Sequence, residues 1–210
     1  MDEEKEYYAL VKKAFDVLAP FYDVVALPIE GVRDKVVDFT NARDGSTILD
    51  VATGTGKQAF AFAKRGYDVI GIDLTESMLR IARKNNENGL VKFEVGDATH
   101  LRFEENSFDV SCVSFALHDM PLPIRERVLK EMVRVTKSNG TLVIVDYALP
   151  ENKVGRFLIY RLVSFYEGEY YRKFIASDLE VLLGETGIEI KQQLPILLGA
   201  GRILKGIKVQ

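Results

Sequence analysis

Small residues and carboxylates stand together at one place in this chain of 210 residues. Asp50 precedes the stretch Ala52-Thr53-Gly54-Thr55-Gly56, and Asp73 follows Gly54 by 73 − 54 = 19 positions. Glycines let a backbone approach a ligand without Cβ clashes. A carboxylate at the end of the next strand can accept hydrogen bonds from both hydroxyls of a ribose. This pattern predicts a site for a nucleoside or a dinucleotide.

Two kinds of ligand fit that pattern. The string Gly54-Thr55-Gly56-Lys57-Gln58-Ala59 matches the dinucleotide fingerprint with Ala in the third small position, which would indicate an NAD-dependent oxidoreductase. Asp50 instead suits a cationic ligand and would repel a pyrophosphate. Asp97, in Gly96-Asp97-Ala98, offers a side-chain acceptor where an adenine amino group could lie. These two carboxylates favour S-adenosylmethionine over NAD.

A candidate acid–base pair lies in the segment Phe115-Ala116-Leu117-His118-Asp119-Met120-Pro121. Histidine titrates in the physiological range, and Asp119 could raise the basicity of His118. Two other interpretations stay open. His118 can be a loop residue hydrogen-bonded to backbone, and Asp119 can cap the helix that follows Pro121.

The elements that must position these residues alternate between strand and helix. Apolar runs predict strands at 47–51, 67–72, 91–95, 110–115 and 141–145, with helices between them and two last strands at 188–192 and 203–209. A turn is predicted at Asn139-Gly140, and a capping box at Ser177-Asp178-Leu179-Glu180. The alternation predicts an α/β fold, a Rossmann-like, doubly wound and mostly parallel sheet of seven strands.

We predict a single domain over residues 1–210. Its core spans 46–150, and N-terminal helices over 1–42 form a cap. An insertion at about 151–176, after the fifth strand, carries aromatic residues such as Phe157, Tyr160 and Phe165. It is expected to act as a lid over the substrate, although the near-helical spacing of these three also fits ordinary core packing.

Composition excludes several classes of protein. The 28 basic and 31 acidic residues give a net charge of −3, which argues against a nucleic-acid partner. Cys112 is the only cysteine, so neither an intrachain disulfide nor a cysteine-based zinc cluster can form, and no metal site is predicted. The acidic N-terminus is unlike a signal peptide, and no apolar run reaches the length of a membrane span. We expect a cytoplasmic protein, monomeric or homodimeric, without stable membrane insertion.

Five motifs in order resemble a known family. They are Leu49-Asp50-Val51-Ala52-Thr53-Gly54-Thr55-Gly56, Gly71-Ile72-Asp73-Leu74 with Ser77-Met78-Leu79, Gly96-Asp97-Ala98, Ser107-Phe108-Asp109-Val110 and Arg134-Val135-Thr136-Lys137. Together they resemble the class I S-adenosylmethionine-dependent methyltransferases of the ubiquinone/menaquinone-biosynthesis type (methyltransferase domain 11). Two positions depart from that pattern. Ala52 stands where the family usually has Gly, and Lys137-Ser138-Asn139-Gly140 replaces a Lys-Pro-Gly-Gly turn.

The resemblance implies roles for individual residues. Asp50 and the backbone of Ala52, Gly54 and Gly56 would hold the methionyl end of the cofactor, and Asp73 its ribose. The other implied cofactor contacts are Leu74 and Met78 beside the adenine, Asp97 and Ala98 at its edge, Ser114 and Phe115 near the sulfonium, and Tyr22 closing over the cofactor. Met78 and Tyr22 could instead be core residues, and Asp73 and Asp97 could instead cap helices or turns.

The implied reaction is methyl transfer to a small, apolar or aromatic acceptor by in-line displacement, with S-adenosylhomocysteine as the product. A quinone precursor is one candidate acceptor. Such an enzyme chiefly aligns the acceptor and excludes water. The open alternatives are the NAD-dependent oxidoreductase and a non-catalytic S-adenosylmethionine-binding protein.

Overall fold

One mixed sheet organises the chain. The computed structural model describes residues 2–209, so Met1 and Gln210, the ends of the predicted domain, lie outside the described residues. The strands within that range are β1 (Thr47–Val51), β2 (Asp68–Asp73), β3 (Val91–Val95), β4 (Phe108–Ser114), β5 (Thr136–Tyr147), β6 (Ile188–Ile196) and β7 (Gly201–Lys208).

Helices connect and cover these strands. They are α1 (Asp2–Leu18), α2 (Tyr22–Val25), α3 (Val32–Thr40), α4 (Lys57–Ala63), α5 (Glu76–Asn85), α6 (Leu122–Val135), α7 (Lys153–Tyr166), α8 (Gly168–Ala176) and α9 (Leu179–Glu185). A single turn of 3-10 helix, Leu117–Asp119, follows β4. Across residues 2–209, no helix combines the length and the apolar character that crossing a bilayer requires.

The strands lie in the order β3-β2-β1-β4-β5-β7-β6. All neighbouring pairs from β3 to β5 are parallel, whereas β7 is antiparallel to both β5 and β6. The predicted doubly wound, mostly parallel sheet is therefore confirmed. The direction of strand succession reverses between β1 and β4, and open α/β sheets bind ligands in the crevice at the carboxyl ends of such strands.

Two apolar cores lie on opposite faces of the sheet. Successive strand residues point to opposite faces, so Leu49 belongs to the core shared with α6 and α9, and Ile48 to the core shared with α3 and α4. Both side chains are buried. Helices on both faces explain why β1 and β4 are apolar almost throughout. The crevice between them is consequently bounded by largely buried strands.

The sequence-predicted turn at Asn139-Gly140 is wrong. Both residues lie inside β5, which is longer than predicted at both ends. The pairing shifts register between Phe108↔Thr136 and Val110↔Thr141, so the residues between bulge from the ladder. A Cβ on Gly140 would lie 2.8 Å from the carbonyl oxygen of Asp109, and this close approach explains the glycine.

The predicted capping box also needs correction. The N-cap of α9 is Asp178, whose carboxylate accepts hydrogen bonds from the amides of Glu180 and Val181. Ser177 instead donates its hydroxyl to the carbonyl oxygen of Phe174, closing α8. The N-cap of α9 is thus one position later than the predicted Ser177.

The insertion after β5 forms α7 and α8. On α8, Tyr171 and Phe174 are buried, whereas on α7 the side chains of Phe157 and Phe165 are exposed. The insertion thus packs one helix into the core and presents apolar side chains of the other to solvent. The lid role expected of it is not confirmed.

Candidate active site

A cavity opens at the carboxyl ends of β1 and β4 and has two parts. The larger part has a volume of about 730 Å³, including space open to solvent, and the smaller about 470 Å³. Both are lined by Tyr22, Ala52, Gly54 and Phe115. The predicted cofactor residues Asp73, Leu74, Met78, Asp97 and Ala98 line the larger part, and Asp50 and Ser114 line the smaller.

The glycine loop turns sharply between β1 and α4. Ala52, Gly54 and Gly56 all have positive φ, of 54°, 57° and 81°. Only glycine adopts this conformation without cost, so Ala52 carries strain on the order of 1 kcal/mol. This conformational cost explains why the family usually has Gly at this position. The amide of Thr53 donates to the carbonyl oxygen of Ile72 at 2.8 Å and anchors the loop to β2.

Gly56 has a different role from Gly54. A Cβ on Gly56 would lie 2.6 Å from the ring of Phe93, so the residue permits close packing under the loop. Gly56 does not line either part of the cavity described above. A Cβ on Gly54 would meet the Met78 side chain at 3.3 Å, on the cavity wall. Of the two glycines, Gly54 is the one placed beside a ligand.

Asp50 is a buried carboxyl at the polar end of the cavity. Its Oδ2 accepts a hydrogen bond of 2.6 Å from the Thr53 hydroxyl. Burial raises the pKa of Asp50 to about 7. Arg33, on the first turn of α3, lines the same part of the cavity. A carboxyl and a guanidinium in one pocket complement the ammonium and carboxylate of an amino acid. Sequence reasoning missed Arg33, because nothing in the helix pattern points it toward the loop.

Asp73 ties two loops together while lining the cavity. Its Oδ2 accepts a hydrogen bond from the Gly54 amide at 2.8 Å, and its Oδ1 accepts from the amide and hydroxyl of Thr75 at 2.9 and 2.7 Å. Burial raises the pKa of Asp73. Asp97 similarly accepts from the amide and hydroxyl of Thr99. Each aspartate therefore stabilises a turn and is also part of the cavity wall.

Aromatic residues of the N-terminal cap form the outer wall of the larger part. They are Tyr7, Tyr8 and Phe15 of α1, together with Tyr22. The sequence predicted a helical N-terminal cap, but of these four residues it assigned only Tyr22 to the site. In contrast, no residue of the insertion at 151–176 is among the side chains that line this part of the cavity. The described aromatic surface over the cofactor residues thus comes from the N-terminus.

The N-terminal cap is fastened to the glycine loop. The Thr55 hydroxyl donates to Asp23 Oδ1 at 2.6 Å, and Lys57 Nζ lies 3.5 Å from Asp23 Oδ2. Burial raises the pKa of Tyr22 to about 12, so its hydroxyl stays neutral at physiological pH. These contacts hold Tyr22 against the loop.

His118 is buried beneath the far end of the cavity and does not line it. Its Nδ1 lies 2.7 Å from Asp146 Oδ1, and its backbone amide donates to Asp146 Oδ2 at 3.2 Å. Burial by itself lowers the pKa of His118, but the charges of Asp146 and Asp119 outweigh this and raise it well above its usual value. The facing carboxylates therefore favour the protonated form of the ring. Asp146, at the end of β5, is its nearest acid, closer than Asp119.

Asp119 lies between His118 and the cavity, which it lines. Its Oδ2 is 3.6 Å from His118 Nε2. Burial raises the pKa of Asp119 to about 6, although the His118 charge opposes the shift. Glu167, between α7 and α8, approaches the same ring nitrogen, with its Oε2 at 3.5 Å from Nε2. No local sequence signal pointed to Glu167, because its approach depends on how the insertion packs.

Arg125 positions the turn that carries His118 and Asp119. This buried guanidinium donates from Nε to the Leu117 carbonyl oxygen at 3.1 Å and from Nη2 to that of Met120 at 2.9 Å. It also lies 4.8 Å from the centre of the Phe174 ring. The turn is thereby fixed from α6 below and from α8 beside it.

Comparisons with known proteins agree with this geometry. Residues 49–144 match the family model described as "Methyltransferase domain". A demethylmenaquinone methyltransferase of Paenarthrobacter aurescens (strain TC1) is 37% identical over 145 residues, covering 67% of this chain and 56% of that protein. A ubiquinone/menaquinone biosynthesis C-methyltransferase of Ruegeria sp. (strain TM1040) is 32% identical over 236 residues, covering 98% and 93%.

A solved structure shares the fold. Magnesium protoporphyrin IX methyltransferase from Synechocystis PCC 6803, determined with bound S-adenosylhomocysteine, superposes with a TM-score of 0.68 at 18% identity, covering 87% of this chain and 84% of that one. The chain spans a little over half the length of the Paenarthrobacter relative, but nearly all of the Ruegeria one. On this evidence, the chain belongs to the class I S-adenosylmethionine-dependent methyltransferases of the ubiquinone/menaquinone-biosynthesis type.

Proposed function

We propose that this protein transfers the methyl group of S-adenosylmethionine to a small aromatic acceptor of the quinone-precursor class. The observation that carries the proposal is the two-part cavity. A polar part around Asp50 adjoins a larger part with aromatic and apolar walls, and both share Ala52, Gly54 and Phe115. The demethylmenaquinone and ubiquinone/menaquinone methyltransferases among its relatives support the acceptor class.

The chain's own residues suit each portion of the cofactor. Asp50 and Arg33 would bind the amino and carboxylate groups of the methionyl end, since opposite charges in a buried pocket attract strongly. Asp73 would accept hydrogen bonds from the ribose hydroxyls. Leu74 and Met78 would pack on the adenine, while Asp97 and Ala98 would contact its edge. Bound in this way, the sulfonium supplies an electrophilic methyl carbon.

The acceptor would occupy the remainder of the larger part. Tyr8, Phe15, Met120 and Val128 surround this space with apolar and aromatic atoms. Such walls favour a flat aromatic ring over a charged or peptide substrate and exclude water from the reacting atoms. The main contribution of the protein is alignment of the acceptor atom with the methyl carbon.

Asp119 and His118 are the residues we assign to the acceptor's proton. Asp119 lines the cavity and would accept a hydrogen bond from an acceptor hydroxyl, whereas His118 lies behind it and orients it by charge. Asp119 would therefore touch the acceptor, and His118 would act through Asp119.

Binding and turnover measurements test the proposal. Calorimetry should show one S-adenosylmethionine and one S-adenosylhomocysteine per chain and no binding of NAD. With methyl-labelled S-adenosylmethionine, hydroquinone precursors should become labelled, and Asp119→Asn should reduce labelling while cofactor affinity stays near that of the unmodified protein.

Three results would contradict different parts of the proposal. Binding of NAD in place of S-adenosylmethionine would refute the cofactor assignment. Cofactor binding without labelling of any aromatic acceptor would refute the acceptor class. Labelling that is insensitive to Asp119→Asn would remove Asp119 from the acceptor site.

A further inference from the structure

Three side chains with metal-ligating atoms converge at the place where one of them, Asp119, lines the cavity. They are His118, Asp119 and Glu167, called here the acceptor-end cluster. Their ligand atoms all lie within 4.8 Å of one another. His118 is buried, and the other two are partly buried. Two carboxylates and one imidazole, brought together from the turn after β4 and from the junction of α7 and α8, form a mixed nitrogen and oxygen donor set.

The spacing within the cluster exceeds that of strong hydrogen bonds. His118 Nε2 lies 3.6 Å from Asp119 Oδ2 and 3.5 Å from Glu167 Oε2. Charge-assisted hydrogen bonds between nitrogen and oxygen measure about 2.7 to 2.9 Å. Two atoms that each lie about 2.1 Å from one tetrahedral metal ion are about 3.4 Å apart. The two separations measured from Nε2 are thus close to those of ligands that share an ion, and the ligand atoms of Asp119 and Glu167 lie within 4.8 Å of each other.

Outer partners orient two of the three ligands. Asp146 Oδ1 lies 2.7 Å from His118 Nδ1, so the proton on Nδ1 is directed to a carboxylate and Nε2 points into the cluster. The Tyr147 hydroxyl donates to Glu167 Oε1 at 2.8 Å, which turns Oε2 toward the cluster. A carboxylate behind a histidine and a hydrogen bond behind a ligating carboxylate are the arrangement that protein metal sites use.

The charge balance also favours a cation. Three carboxylates, those of Asp119, Asp146 and Glu167, surround a single imidazole. A divalent ion bound at His118 Nε2 would take the place of a proton there and would face the same carboxylates. The nearby guanidinium of Arg125 is directed at the Leu117 and Met120 carbonyls.

We propose that the acceptor-end cluster binds a divalent transition-metal ion, with His118 Nε2, Asp119 Oδ2 and Glu167 Oε2 as ligands. An imidazole with two carboxylates suits Zn²⁺ or Mn²⁺ better than Mg²⁺, which prefers oxygen ligands alone. Three protein ligands leave a coordination position for water or for an oxygen of the acceptor. The metal site stands on its own geometry, and its use for an acceptor oxygen rests on the proposed function.

The test is metal binding to the full chain, with no acceptor present. The protein is first treated with a chelator and then titrated with Zn²⁺ by calorimetry and with Mn²⁺ by electron paramagnetic resonance. We expect one ion of either metal per chain, with much weaker binding of Mg²⁺. His118→Ala and Glu167→Gln should each weaken Zn²⁺ binding at least tenfold. Co²⁺ should give a visible absorption spectrum that His118→Ala alters.

Controls separate metal binding from folding and from the cofactor site. Glu169→Gln changes an exposed carboxylate nearby that pairs with Lys173, and it should leave Zn²⁺ affinity unchanged. Glu167→Gln keeps a side-chain oxygen that can accept the hydrogen bond from Tyr147. The melting temperature of this variant shows whether it remains folded. S-adenosylmethionine affinity is measured on the same samples.

Each outcome decides one claim. Absence of Zn²⁺ and Mn²⁺ binding in a chain that binds S-adenosylmethionine would overturn the metal site and leave the proposed function intact. Binding that is unaffected by both His118→Ala and Glu167→Gln would also overturn it. Metal binding in a chain without affinity for S-adenosylmethionine would support the site and refute the proposed function.

Discussion

The Asp73 carboxylate accepts a hydrogen bond from the backbone amide of Gly54 at 2.8 Å. One side chain therefore holds the glycine loop against the end of β2 and lines the cavity where a ribose would bind. The shape of the loop and the recognition of the ligand depend on the same carboxylate. A change at Asp73 must affect both.

Asp73→Asn is expected to weaken S-adenosylmethionine binding about tenfold or more, since hydrogen bonds to a charged group are worth about 1.5 to 3 kcal/mol. It should also lower the melting temperature of the cofactor-free protein. The control is Thr75→Val, which removes a hydroxyl donor to Asp73 but keeps the carboxylate. Calorimetry and thermal unfolding measure the two effects. Equal cofactor affinity for Asp73→Asn and the unmodified protein would refute the ribose role.

Cofactor affinity should depend on pH through Asp50. Burial raises the pKa of Asp50 to about 7, with Arg33 opposing and Asp73 adding to the shift. The ionised form attracts the cofactor's ammonium group, so affinity should rise as pH increases from 5.5 to about 7.5. A change of one pH unit below the pKa corresponds to about tenfold in the ionised fraction.

The raised pKa of Asp50 also predicts how the free energy of unfolding changes with pH. The folded state keeps the Asp50 proton up to about pH 7, whereas an unfolded aspartate loses it near pH 4. The contribution of Asp50 to the free energy of unfolding is therefore fully present below about pH 4 and is lost as the pH rises to about 7. Asp50→Asn should remove this component and also the pH dependence of cofactor affinity. Identical pH profiles in the variant would contradict the assignment.

Ala52→Gly should stabilise the protein. Ala52 has φ 54°, which costs an L-residue about 1 to 2 kcal/mol. Glycine would relieve this strain, but part of the gain in stability is lost because glycine makes the unfolded chain more flexible. A net increase of about 0.5 to 1 kcal/mol in the free energy of unfolding is expected in urea titrations. Ala82→Gly, within helix α5, is the matched control and should destabilise. A loss of stability in Ala52→Gly would show that its methyl packing outweighs the strain.

Arg125→Met should cost about 3 kcal/mol of stability, because it leaves the Leu117 and Met120 carbonyls without their donor. Arg127→Met on the same helix is the control. Arg127 pairs with Glu4 on the surface, where ion pairs contribute about 0 to 1 kcal/mol. Denaturant unfolding of both variants measures the difference. Similar losses in the two would mean that Arg125 does not hold the turn.

The glycine loop, the doubly wound and mostly parallel sheet and the carboxylates at the strand ends could be predicted from the sequence. Asp50, Asp73 and Asp97 each follow or end an apolar run, and parallel strands joined by helices place their carboxyl ends at one edge of a sheet. Local periodicity therefore determined that these groups would meet. It could not reveal the bulge before Thr141, since a bulge depends on the facing strand.

Tertiary packing alone decided the surroundings of His118. Asp146 and Glu167 come from distant segments, and their approach to the ring depends on how β5 and the α7–α8 junction lie beside the turn after β4. The same holds for Tyr7 and Phe15 of α1, whose place over the cavity depends on docking of the N-terminal cap. Backbone periodicity specifies elements and strand ends, but side-chain partners across elements follow from the three-dimensional packing of the whole chain.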